Sequence, residues 1–466
     1  MESLLQIVSK INSYFSDYVL ITLLVGAGVY FSIRTRFVQV RCFFEGWRQL
    51  FGTASFHGQS EKNGLSSYQA LTAAVAAQVG TGNIVGASGA ILIGGPGAIF
   101  WMWIVSFFGM ATIYAEAVLA QKTRVEDPDG TFHGGPVYYI KKAYPNLFGK
   151  VLAALFALAV VISLGFMGIM VQANSIGETC TNAFGIPGWI IGLLLVIFAA
   201  GIFLGGVSRL ASVTEKIVPL MAVIYLVAGI TVLVIRYQYI PETFGFIFRY
   251  AFMPEALIGG GFGYALKTAV SQGVKRGLFS NEAGMGSTPH AHAVARVKHP
   301  HDQGVVAMIG VFIDIGIVLT MTALIVISTI YTGNGPLASV DGGNYQSMIA
   351  ESGLTKTNLM QYAVASVSST LIGNVFVAVC LLFFAFSTIL SWNYFGKINF
   401  SYLFGRKSVV AYSVLSIFFI MIGTLVKNDL VWELQDMFNQ LMVLPNVIAL
   451  FALGGLVAAS SRKDDL

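Results

Sequence analysis

Long apolar stretches separated by short polar ones run through the whole chain. A helix that crosses a bilayer takes roughly 20 mostly apolar residues. On that measure about eleven spans are predicted: 18–33, 66–93, 98–120, 151–176, 188–206, 212–235, 257–281, 303–331, 368–394, 408–426 and 436–459. The weakest is 257–281, which carries Lys267, Lys275 and Arg276 and opens on a run of glycines.

Loop charge tests that count independently, because Lys and Arg accumulate on the cytoplasmic side. With the N-terminus outside, 19 basic residues fall in inside loops, among them Arg34, Arg41, Lys62, Lys122, Lys141, Lys150, Arg296, Lys407, Arg462 and Lys463. Only five fall outside: Lys10, Arg236, Arg249, Lys356 and Lys427. Removing span 257–281 would move every later loop to the wrong side, so the asymmetry argues for keeping it. The expected topology puts the N-terminus outside and the C-terminus in the cytoplasm.

One span is a poor helix in its middle. In Ser66–Phe108, Gln78, Thr81 and Asn83 sit among Gly80, Gly82 and Gly86. Lipid offers no partner to freed N–H and C=O groups, so irregular backbone at that depth survives only when buried in protein or lining a cavity. In transporters such breaks hold substrate and ions, and Ala76–Asn83 is therefore the expected binding site. Gly80-Thr81-Gly82 with Gly86 also has the outline of a dinucleotide loop. That loop needs a strand before it and an acidic residue ~20 positions on, and neither is here. Glycines serving helix packing alone would leave the accompanying polar residues unexplained.

Setting the first helix aside, ten spans divide into two sets of five, 66–235 and 257–459, behind an N-terminal unit 1–65. Five is odd, so the second set enters the membrane inverted. Each set begins with a glycine-interrupted helix, AAQVGTGNIVG and LIGGGFGYALKTAVSQGVKRG, and paired interruptions point to an inverted-repeat transporter. The second break is expected near Ser271, Gln272 and Gly273.

Composition agrees with this reading. The 466 residues are 56% hydrophobic and only 11% charged, against about a quarter charged in soluble domains. Cys42, Cys180 and Cys380 are too scattered for a disulfide framework or a metal motif. The N-terminus lacks the basic start and cleavage site of a signal peptide, and no nucleic-acid module is visible.

These residues resemble a known family. GGPGAIFWMWIVSFFG (Gly94–Gly109) is similar to the signature of the sodium:alanine symporters, also called alanine-or-glycine:cation symporters. VGTGNIVG (Val79–Gly86), KRGLFSNEAGMGS (Lys275–Ser287) and FFAFSTILSWNYFG (Phe383–Gly396) resemble its other landmarks. The resemblance implies an all-α polytopic membrane protein of the amino acid–polyamine–cation superfamily, with the leucine-transporter fold: one extra N-terminal helix plus a 5+5 inverted repeat. It implies a sodium-coupled symporter for a small neutral amino acid, with no cofactor besides the coupling ion and no obligate protein partner.

Amide N–H groups at Thr81 and Gly82 open the second half-helix and suit a substrate carboxylate at its positive end. Freed carbonyls at Gln78 and Val79 suit an ammonium or a hard cation. Ser387 and Thr388 lie in an apolar span. Such hydroxyls often bond back to the i−4 carbonyl; in the related fold they complete a sodium site with carbonyls at Ala76 and Val79. Trp392, four residues on, shares a helix face with Thr388; it walls the pocket or is an ordinary interfacial tryptophan. Of Gln172 and Asn174, Gln172 is expected at the pocket with Ile169 as its apolar wall, and Asn174 at a helix end. Gln272 is a weaker substrate candidate.

Asp314 is an intramembrane carboxylate and a functional candidate by default. It serves a cation site with Asn83, or pairs with Lys267 or another basic residue. The histidines of HAH…HPH (His290, His292, His299, His301) read as a polar cytoplasmic loop rather than a metal site, and 121–150 as an amphipathic interfacial segment. Alanine, glycine or serine is the expected substrate. Glutamine or asparagine, and a proton-coupled version working through Asp314, are the alternatives. A channel fits less well because broken helices on two repeats favour alternating access, and a membrane enzyme because the spans contain no nucleophile–base pair or metal-ligand cluster.

Overall fold

A computed structural model describes residues 2–52, 65–126, 132–203, 206–253, 262–338, 345–426 and 428–461. Lys62, Lys427, Arg462, Lys463 and the glycines at 259–261 lie outside the described residues. Among those described, the chain is helical apart from one short antiparallel strand pair, Val125–Glu126 with Phe132–His133. Seven helices are long and apolar enough to cross a membrane, and up to nine if each of two bent pairs is one span. Gly188–Phe203 is apolar but shorter. The protein is a multi-pass membrane protein.

The helices sort by what surrounds them. In the Gly206–Ile235 helix, Leu220, Val223, Val227, Ile230 and Val234 are exposed. Their spacing of three or four residues makes one apolar stripe, and on a bundle of this kind that stripe faces lipid. The helix formed by Ser67–Gln78 is the opposite case, buried on nearly every side. Its low amphipathicity follows from that position, since a helix with protein all round has no solvent or lipid face to mark.

This central helix breaks where expected. Ser67–Gln78 begins on a reciprocal cap between Ser66 and Gln69 and ends at Gln78. The chain resumes at Gly82 in a wide π-type turn and continues as Ala87–Gly94, bent by 45°. Of three further π-type turns among the described residues, Phe15–Leu20 lies near the N-terminus, while Ser163–Gly168 and Phe312–Leu319 interrupt the long helices Leu147–Phe184 and Pro300–Ile330. Such turns often occur at functional sites; the one at Gly82 meets Phe312–Leu319 through Asn83 and Asp314, and Ser163–Gly168 meets Trp392 at Gly168.

The second break differs from the expectation. Phe262–Asn281 is continuous through Ser271, Gln272 and Gly273. A Cβ at Gly273 would lie 2.5 Å from the Ala98 carbonyl oxygen, so this glycine allows close packing on the Ala98–Thr123 helix. The helix ends instead at Glu282, which takes the left-handed conformation (φ +57). A loop with Gly284 and Gly286 at positive φ follows, then the short helix Pro289–Ala293. Lys275 and Arg276 are accommodated because both meet Asp436, at 2.9 and 3.0 Å.

Two other expectations are corrected. Val137, Tyr139 and Ile140 of the Pro136–Ala143 helix are fully buried, and the Tyr139 hydroxyl donates to Asn446. The apolar face of this helix is covered by protein, whereas Leu147 and Phe148, later in the same predicted segment, are exposed. His290, His292 and His301 are buried, with only His299 exposed. His290 Nε2 meets the Asn399 amide at 2.8 Å and His292 Nδ1 the Gln303 amide at 2.8 Å. Burial pushes His290 down to about 4 and His292 down to about 3.

Candidate functional site

The two breaks meet. Gln78 Nε2 donates to the Asn281 carbonyl at 2.9 Å, joining the end of one interrupted helix to the end of the other. At Gly82 an added Cβ would lie 3.1 Å from Ser280 Cα, so the two backbones approach at glycine distance. Gly80 N–H donates to Asn83 Oδ1 at 3.0 Å and Thr81 N–H to Gln172 Oε1 at 3.1 Å. Gln172 thus reaches the break, whereas the Asn174 amide donates to the carbonyls of Gly423 and Val426. The carboxylate-binding expectation for Thr81 changes accordingly: its N–H already has an acceptor.

The residues expected to hold cations lie in two groups, as the two separate assignments require. In the first, Thr388 Oγ1 lies 2.8 Å from the Ala76 carbonyl oxygen and 3.5 Å from that of Val79. Ser387 does not join it. Its hydroxyl donates to the Phe384 carbonyl at 2.9 Å and faces Met221. Adjacent residues on a helix point about 100° apart, so only one of this pair meets the break. Ser391, one turn further along, donates to the Ala73 carbonyl at 3.0 Å.

The second group gathers on Asp314. Asn83 Nδ2 donates to its Oδ1 at 2.6 Å and Ser280 Oγ to its Oδ2 at 2.9 Å. Lys267 instead lies over the Tyr18 ring, so the lysine–carboxylate alternative is not what the structure forms. Glu282 and Glu116 are likewise fully buried. Among the described residues, no ion pair with Lys or Arg reaches any of these three carboxylates. Glu116 accepts from the N–H groups of Gly284 and Gly286 and from Asn446, holding the loop after the second break.

Trp392 is buried, which excludes an interfacial role. Its indole N–H donates to Glu282 Oε1, its six-membered ring occupies the space where Gly168 lacks a side chain, and Phe279 meets it edge-on at 6.0 Å. Phe279 also packs against Trp432, over which Arg276 lies. Ile169 groups with Ile389 and Ala173 in a separate apolar cluster, and Gln272 sits on the Phe262–Asn281 helix against Gly94. The structure brings neither to the meeting point of the two breaks.

Several polar atoms there are buried without a partner: Gln78 Oε1, Thr81 Oγ1, Gln172 Nε2 and Asn281 Nδ2. Both donors and acceptors are represented, as a zwitterion requires. Sequence reasoning missed Ser280, Asn281, Glu282 and Glu116. The rule that singled out Asp314 applies equally to Glu116, inside span 98–120. Glu282 lies in KRGLFSNEAGMGS, just past the predicted end of span 257–281, where the rule for intramembrane carboxylates does not reach.

Comparison with known proteins agrees with this architecture. The chain is similar in fold to a crystallised variant of the manganese transporter of Eremococcus coleocola. The TM-score is 0.51 at 12% identity, covering 86% of this chain and 82% of that one. It is 38% identical over 458 residues to the sodium/alanine symporter AgcS of Methanococcus maripaludis, covering 98% of this chain and 96% of the relative. It is 37% identical to a Bacillus subtilis protein named "Probable sodium/glutamine symporter GlnT", covering 98% and 90%. A further Bacillus subtilis relative, YrbD, named for sodium/proton-dependent alanine carriage, is 39% identical over 96% of this chain. A family model described as the sodium:alanine symporter family matches residues 1–464, and with that match and relatives at this identity the chain belongs to the sodium:alanine symporter family.

Proposed function

We propose that this protein is a sodium-coupled symporter that imports a small neutral amino acid by alternating access, binding it where the two helix breaks meet. The observation that carries this reading is the convergence of unpartnered Gln78 Oε1, Thr81 Oγ1 and Gln172 Nε2 beside the Ala76 and Val79 carbonyls. A zwitterion satisfies those donors and acceptors, and a burial cost of about 1–3 kcal/mol for each orphan is recovered when it enters. Phe279 and Trp392 wall the side-chain end. The names of AgcS and YrbD support alanine.

Sodium is assigned to two positions. Thr388 with the Ala76 and Val79 carbonyls offers neutral oxygens, and Asp314 with Asn83 and Ser280 offers a carboxylate. Hard cations take oxygen ligands of both kinds. The meeting of the two broken helices through Gln78 and Asn281 supports a 5+5 inverted repeat, 66–235 and 257–459, behind an N-terminal unit 1–65. The basic-residue asymmetry supports an outside N-terminus and a cytoplasmic C-terminus.

Uptake into proteoliposomes tests the reading, with imposed sodium, lithium or proton gradients and a panel of amino acids. Uphill alanine accumulation driven by sodium alone is expected. Accumulation driven equally by a proton gradient in sodium-free buffer would shift the coupling to Asp314. A second substrate reading, glutamine, draws on the free Gln172 amide and on the name of GlnT. It predicts that glutamine displaces alanine at comparable concentration.

A further inference from the structure

Away from the transport pathway, a buried cysteine, a half-buried glutamate and a buried histidine converge at one end of the bundle. Among the described residues, Cys42, Glu45 and His301 are the one group of three His, Cys, Asp or Glu side chains whose ligand atoms all lie within 4.8 Å of one another. Cys42 precedes the Phe43–Gly52 helix and Glu45 lies in its first turn. The spacing i, i+3 puts both on one helix face. His301 comes from the start of the Pro300–Val311 helix.

We propose that Cys42, Glu45 and His301 form a site for a borderline divalent transition metal, Zn2+ being the ion that suits it best. The first argument is how the His301 ring is held. Its Nδ1 meets the Tyr114 hydroxyl at 2.7 Å and its Nε2 meets Glu45 Oε1 at 3.3 Å. Without an ion, the Tyr114 hydroxyl donates to Nδ1 and the Nε2–H donates to Glu45. A metal takes the place of the Nε2 hydrogen, and the network accommodates the exchange: the imidazole hydrogen moves to Nδ1 and is donated to the Tyr114 oxygen, whose own hydrogen turns to the Ser460 carbonyl at 3.3 Å. Ligating histidines commonly hold their second nitrogen in this way, which fixes the ring.

Distance gives the second argument. Zinc–nitrogen and zinc–oxygen bonds of roughly 2.0–2.1 Å at a tetrahedral angle separate two ligand atoms by about 3.3–3.4 Å. The His301–Glu45 separation is that edge. A thiolate, an imidazole and a carboxylate are all zinc ligands, and three protein ligands leave the fourth position to water. Glu45 is 36% exposed, against 2% for His301, and gives an ion its route in from solvent. Arg41 does not occupy the site: its guanidinium donates to the carbonyls of Thr35 and Ser461.

The frame is rigid. A Cβ at Gly46 would lie 2.7 Å from the Val305 carbonyl oxygen, and one at Gly304 would lie 2.7 Å from the Tyr114 ring. Close contacts at these two glycines, one with backbone and one with the tyrosine ring, therefore hold the helices bearing Glu45, His301 and Tyr114 together, as a preorganised metal site requires.

Cobalt titration of the purified, chelator-treated protein tests the proposal. One Co2+ per chain is expected, with a thiolate-to-cobalt charge-transfer band that one equivalent of Zn2+ removes. Cys42→Ser should abolish the band, and His301→Gln should weaken binding at least tenfold. If Cys42→Ser fails to fold, the Cys180→Ser, Cys380→Ser double variant leaves Cys42 as the one thiol, and the band must persist there. No band in protein that still transports, a band that survives Cys42→Ser, or one that appears only with a large excess of cobalt would overturn the assignment.

Discussion

The indole N–H of Trp392 donates to the carboxylate of Glu282, the left-handed residue that ends the Phe262–Asn281 helix. A wall of the proposed pocket is thereby tied to the second helix break. Glu282 Oε2 also accepts from Ser287, so the same carboxylate holds the loop that follows. A side chain that locks both has two ways to affect selectivity: through the position of the ring, and through the charge beside it.

Those two can be separated by substitution. Trp392→Ala should admit leucine and methionine while sodium dependence persists, since one methylene in an apolar pocket is worth about 1–3 kcal/mol. Glu282→Ala should widen selectivity in the same direction by freeing the ring. Glu282→Gln keeps an acceptor for the indole and should retain the size cut-off. Competition of each amino acid against labelled alanine checks all three. A Glu282→Gln variant as permissive as Glu282→Ala would assign the effect to charge.

Thr388 and Ser387 are neighbours with different surroundings, and their substitutions should differ in effect. Thr388→Ala removes the hydroxyl beside the Ala76 and Val79 carbonyls. A hydrogen-bonding group facing a charge is worth about 1.5–3 kcal/mol, so half-maximal uptake should need roughly 10- to 100-fold more sodium. Ser387→Ala loses a contact within its own helix and should leave that value within about twofold. Sodium titration of alanine uptake decides, and equal shifts would mean that both hydroxyls ligate the ion.

Asp314→Asn preserves the shape of a side chain bonded to Asn83 and Ser280 but removes its charge. Fewer charges should then cross the membrane with each alanine, measured as the ratio of transport current to labelled uptake. An unchanged ratio would make Asp314 a structural hydrogen-bonding centre.

Two histidines outside the spans set an acid limit on stability. The folded state holds His290 at about 4 and His292 at about 3 through burial, whereas an unfolded histidine titrates near 6.5. Below roughly pH 6.5 the unfolded chain binds protons that the folded chain does not, so stability falls as pH drops from there toward the folded values. Each histidine contributes a slope of up to about 1.4 kcal/mol per pH unit. Thermal unfolding in detergent at pH 7.5 and pH 5 should show the loss, and His292→Gln should reduce it. An identical pH dependence in that variant would locate the acid sensitivity elsewhere.

What the sequence determined by itself is the part governed by local free energy against lipid. An apolar stretch of sufficient length spans, and a cluster of glycines with Gln78, Thr81 and Asn83 breaks the helix, because both outcomes depend on residues close together in the chain. The membrane class, most of the spans and the first break were legible for that reason. The second break was not, since Gly273 looks permissive yet packs within a continuous helix against Ala98 and Trp101. The actual break needs Glu282 in a left-handed conformation, held by Trp392 and Ser287, with the following loop held by Glu116. Azimuth was equally hidden: which of Ser387 and Thr388 meets the first break depends on how the Thr370–Phe404 helix is rotated, and packing sets that rotation. So was the approach of Cys42 and Glu45 to His301, which lies more than 250 positions along the chain. Contacts between distant segments carry no local signature, and only the closed bundle assembles them.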